Sequence, residues 1–191
     1  MPDENQITSI LANKDSRYAV AFAASCASRL IENHARFAEK TRIGGASALH
    51  EALTFAWSVA DGNLVGCGAR AREYLQRCEG LVPDTEAFAG CGVSGALDAV
   101  CAVLELLDCI AAIDAVGLAA SGHAAEAARC AADTADMIDE RRKDRVVLSV
   151  AHAESGRQVE LLAWIAEGRD ANQVVARAKE LGRTRDLIDD G

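Results

Sequence analysis

Between Gly92 and Val116, Ser94, Asp98, Cys101, Glu105, Asp108 and Cys109 recur at i, i+4, i+7, i+11, i+14 and i+15. At 3.6 residues per turn these positions share one helical face. Paired carboxylates can divide the roles of general acid and base, but Asp98 and Glu105 stand two turns, or ~10.5 Å, apart along an axis. That separation rules out a shared proton and leaves room for a ligand supplied from another helix. The plainer reading is a carboxylate stripe that holds a neighbouring arginine or helix end. Arg29 is the natural partner to look for. It shares a face with Phe22 and Cys26 on an otherwise apolar stretch, and a buried guanidinium requires a carboxylate. The expected arrangement is an internal pair between Arg29 and Asp98 or Glu105. The alternative makes Arg29, Asp98 and Glu105 a ligand-binding layer, with Arg29 as the anion-binding group.

Other chemistry-bearing groups are weaker. His123, Glu126, Cys130 and Asp133 fall on one side of a helix, but helical di-metal sites use Glu-x-x-His from two helices, and here His-x-x-Glu occurs once. A solvated face is expected and no metal is assigned. His50 and Glu51 adjoin an amphipathic stripe, while His34 and His152 are isolated. No spacing suggests a nucleophile–histidine–acid triad, a phosphate loop or a dinucleotide fingerprint. No catalytic residue and no cofactor are therefore expected.

These residues are carried by helical patterns. Val93, Leu97, Val100, Val103, Leu106, Leu107 and Ile110 cover more than half of a wheel, so residues 92–116 predict a central helix with neighbours on several sides. Around it the sequence predicts a short helix at 3–13, a largely buried one from Asp15 or Ser16 to Ile31, and a short one capped by Asn33. Further helices are predicted at 46–60, 67–79, 123–141, 144–167 and 171–181, with a single turn after Pro83. Gly117 to Gly122 reads as a loop. The tail from 182 is polar except for Leu187 and Ile188, which can dock in extended form. The expectation is one all-α domain over 1–191, a bundle of seven to nine helices.

Composition agrees. Half the residues are apolar but only 4% are aromatic, and two prolines interrupt 191 residues, which favours an Ala/Leu/Val core of helices. The net charge of −9 disfavours nucleic acid as a partner. Seven cysteines without a CxxC spacing read as free thiols in a reducing cytoplasm. No stretch predicts a membrane span, because Glu105, Asp108 and Asp114 interrupt the most apolar region.

The run Val20-Ala21-Phe22, Arg29, Asn33-His34-Ala35-Arg36-Phe37, Thr41, Gly44, Leu53 and Trp57 resembles the first half of the YjaG-like family of bacterial proteins. Pro83, Phe88, Gly92-Val93, Ala96-Leu97-Asp98-Ala99, Ala102 and Glu105-Leu106 resemble its centre, and Glu154, Gln158, Glu160 and Leu161 continue the likeness. The resemblance implies an all-helical single domain and no assigned activity. Where it implies aromatic residues flanking Gly92-Val93 and then a proline, this chain carries Cys91, Ser94 and Gly95. The functional expectation is a non-enzymatic cytoplasmic protein acting through a protein partner or through self-association as a homodimer. A small-molecule or metal-binding protein or enzyme, using the Arg29/Asp98/Glu105 layer, is the alternative.

Overall fold

The apolar stretch after Gly92 forms the axis of the molecule. In the computed structural model, which describes residues 2–89, 92–113, 118–142 and 149–188, it becomes helix α5, Val93–Ala111. Four helices pack against it: α2 (Ser16–Thr41), α3 (Ala46–Ala60), α4 (Cys67–Glu79) and α6 (Leu118–Arg141). Helices α1 (Glu4–Leu11), α7 (Val150–Ala166) and α8 (Ala171–Leu181) close the outside, chiefly against α2 and α6. Among the described residues there are eight helices and no strand. Leu106, Leu107 and Ile110 are fully enclosed, and Ala96, Ala99 and Ala102, nearer the start of the helix, lie at 0% exposure. A core this rich in alanine brings helix axes close together, where dispersion contacts are dense.

Four boundaries depart from expectation. Residues 16–41 form one continuous helix of 26 residues, with no break at Asn33. Asn33 is not a cap: its side chain donates to the Leu187 carbonyl at 2.9 Å, so it binds the tail instead of competing with its own backbone. The axial helix ends at Ala111, and residues 114–116 of the predicted stretch lie outside the described residues. α6 begins at Leu118 with Gly122 inside it, where packing of Ala120 and Ala124 outweighs about 1 kcal/mol of glycine penalty. α7 begins at Val150 behind a Ser149 cap, and the predicted start at Asp144 falls outside the described residues.

Two close approaches fix the edges. Gly45 has φ +110°, a conformation that favours glycine, and Leu81 of the α4–α5 connection packs so closely that its Cδ2 lies 2.2 Å from where a Cβ would stand. At the other end the tail folds back over α2 and buries Leu187 completely.

Candidate functional site: a buried ionic network

Arg29 is buried, as its place on an apolar helix requires, but its partner is neither Asp98 nor Glu105. Arg29 Nε and Nη2 donate to the two carboxylate oxygens of Glu154 on α7 at 2.8 and 2.5 Å. Nη1 donates to the Ser25 carbonyl and hydroxyl at 2.9 and 2.8 Å, and Nη2 reaches Cys26 Sγ at 3.5 Å. A guanidinium has five N–H groups, and these contacts occupy all five.

Glu154 is filled just as completely. Besides Arg29 it accepts from Gln158 Nε2 at 2.9 Å and from Arg157 Nη1 at 3.2 Å. Gln158 also donates to the Ala128 carbonyl on α6. Arg157 turns its other nitrogen to Asp186 of the tail. Alternating charges thus link α2, α7 and the tail, with two positive and two negative groups and no net charge. Burial raises the Glu154 pKa, but the Arg29 charge and the hydrogen bonds from Arg29 and Gln158 outweigh it and hold the carboxyl below its ordinary value. Burial opposes the Arg29 charge as well, and Glu154 more than restores it. Such a network ties elements together: Arg29 has no donor left for a substrate, and only Asp186 Oδ1 at the tail end of the network is a buried acceptor without a partner.

The carboxylate stripe of α5 lies in the seam with α6. Asp98 accepts from the Thr134 hydroxyl at 2.7 Å, and Glu105 lies 2.8 Å from His123 Nδ1. The Asp98 pKa is raised by burial, a shift that Thr134 only partly offsets. Asp98 and Glu105 therefore take partners separate from Arg29 and from each other, and no three-residue layer forms. The His123/Glu126/Cys130/Asp133 face is likewise divided, because Glu126 and Asp133 both pair with Arg129. Burial pushes the Cys130 thiol up to about 12. Among the described residues, six cysteines are free thiols and no three metal-ligating side chains meet.

Two further features were not foreseen. His34 is 1% exposed, yet neither ring nitrogen has a hydrogen-bond partner. The Leu81 main chain favours the proton only weakly, burial disfavours it more, and the pKa is lowered. The sequence did hold a signal for the network. Val150, Glu154, Gln158, Leu161 and Ile165 all lie on the buried side of α7, so two polar residues sit inside an apolar stripe.

A family model, described as a protein of unknown function (DUF416), matches residues 6–181. The chain belongs to the DUF416 family. A solved DUF416 family protein from Shewanella baltica OS155 is similar in fold, with a TM-score of 0.68 and 22% identity over 91% of this chain and 92% of that one. At that identity the likeness concerns the DUF416 fold alone. Among curated proteins, none matches the chain.

Proposed function

We propose that this protein is non-catalytic and acts by holding an amphipathic helix of a basic partner protein in a groove between α1 and α7. One observation carries the reading. Ile10, Val159, Leu162, Ala163 and Ala166 line an open apolar groove of about 340 Å³, in which Val159 is 52% exposed. Apolar side chains at i, i+3, i+4 and i+7 of a helix are what such a groove receives. Immediately across α1 lies a second depression, of about 280 Å³, rimmed by Asp3, Glu4 and Asp136, and by Glu126 and Asp133, which share Arg129. The excess of acids over Arg129 on this rim, with a net charge of −9, favours basic residues flanking the apolar face of the partner.

In this reading Arg29, Asp98 and Glu105 are tethers that hold helices in register. The protein works in the bacterial cytoplasm, and the motif residues Asn33-His34-Ala35-Arg36-Phe37 and Ala96-Leu97-Asp98-Ala99 support its place among YjaG-like members of the family.

A photo-crosslinking residue at position 159 tests the proposal in cells. A discrete adduct with one basic protein, absent when the probe replaces exposed Val82, is expected, and introducing Ala163→Glu should abolish it. An adduct with a second copy of the chain, matched by a dimer in sedimentation, would replace the proposed partner with self-association. Equal adducts from positions 159 and 82 would reject the groove.

A further inference from the structure

The tail that carries Asp186 and Leu187 encloses a second space, which borders the ionic network at Arg29. Residues 182–188 run beside α2 and leave a half-enclosed cleft of about 380 Å³ between the tail, α2 and the first turns of α3. Its charged lining includes Arg183 and Arg185 from the tail, His50 from α3, and Glu32 and Arg29 from α2, Arg29 being fully engaged by Glu154 and Ser25. Arg29, Arg77, Arg129, Arg157, Arg169 and Arg177 each have an acidic partner. Arg183 and Arg185 make no side-chain ion pair or hydrogen bond among the described residues, although 29 acids outnumber 20 bases in the chain. His50 Nδ1 lies 2.9 Å from the Ala46 carbonyl, which places the proton there and leaves Nε2 open.

We propose that this cleft binds a small molecule bearing a phosphate and a hydroxyl, the phosphate held by Arg183 and Arg185 and the hydroxyl donating to His50 Nε2 on the opposite wall. Two guanidinium forks present paired N–H donors in the geometry that phosphate oxygens accept. The volume lies within the range of small-ligand sites and fits a compact ligand. Glu32, the acid on the lining, gives the other end of the ligand a hydrogen-bond acceptor and disfavours a second phosphate beside it. The site is held open by structure: Leu187 is buried beneath the tail, the Asn33 amide holds its carbonyl, and a Cβ on Gly182 would stand 3.1 Å from Ser28 Cβ. It shares no residue with the α1/α7 groove, so the two readings succeed or fail separately.

Calorimetric titration of the full chain at low salt with inorganic phosphate, glycerol phosphate and citrate decides the matter. Saturable one-to-one binding of glycerol phosphate is expected. The double variant Arg183→Gln/Arg185→Gln should weaken it by about tenfold or more. Both side chains are exposed, so a melting curve matched to the parent is expected and shows that the fold survives. Lys14→Gln/Arg72→Gln removes the same charge from exposed positions elsewhere and should leave binding within about twofold of the parent. Absence of saturable binding at millimolar phosphate ester, an equal loss in the control variant, or citrate binding as tightly as the ester would each overturn the proposal.

Discussion

Glu154 is enclosed and Asp98 half-buried, and they are expected to respond differently to neutralisation. Glu154→Gln leaves Arg29 buried without its counter-charge, and should cost about 3–5 kcal/mol in chemical denaturation. Asp98 carries a raised pKa because burial outweighs its Thr134 bond. Asp98→Asn keeps an acceptor for that hydroxyl and should change stability by less than about 1 kcal/mol. A cycle combining Arg29→Met with each change should give strong coupling for Glu154 and coupling near zero for Asp98. The pH dependence follows from the same groups. Glu154 is depressed in the folded state, so its stabilisation is complete above its ordinary value of 4.5 and is lost as pH falls through the folded value. His34 is depressed too, but as a base. It costs nothing above its ordinary value of 6.5, and stability falls below that as the unfolded chain takes up a proton that the folded chain refuses. Denaturation midpoints between pH 7 and 5 should therefore decline, and His34→Phe should flatten the decline. An unchanged slope in that variant would assign it to other groups.

Elements show which parts of this fold can be read from a linear pattern. The axial helix was legible because its apolar residues surround the wheel, and α3, α4 and α8 because their stripes are amphipathic and bounded by turn residues. The continuity of α2 through Asn33 was not, since a capping residue and a residue that binds a distant tail look alike until the tail is placed. Arg29 announced its need for an acid, but α5 and α7 both offered one. Choosing Glu154 depends on how α7 crosses α2, a packing angle that no local spacing encodes. The tail is a further case: its two apolar residues suggested docking, and Leu187 is its anchor. Leu187→Ala should cost about 2–5 kcal/mol if the tail belongs to the cooperative core. Limited proteolysis should then cut after Leu181 in the variant and spare the parent. An unchanged digestion pattern would show that Asn33 and Arg157 hold the tail without the leucine.

Across the whole molecule, thiols report on packing. Burial pushes Cys26, Cys109 and Cys130 up to about 12, while Cys101 is only half-buried. A disulfide reagent on the native protein should modify Cys101 before these three, and denaturant should release all seven thiols of the sequence. Early labelling of Cys26 would mean that α2 is not held in the core as described. The span of the ionic network has a further consequence. Arg29 and Glu154 are separated by 125 positions, and Asp186 joins from later still. As a ribosome makes the chain from its N-terminus, α2 emerges long before the carboxylate that neutralises it. Until α7 follows, the nascent bundle holds a cation on an apolar surface, which disfavours early closure of the core. Commitment to the native state is thereby deferred until α7 has been made, and a chain released before α7 is left without its central tether.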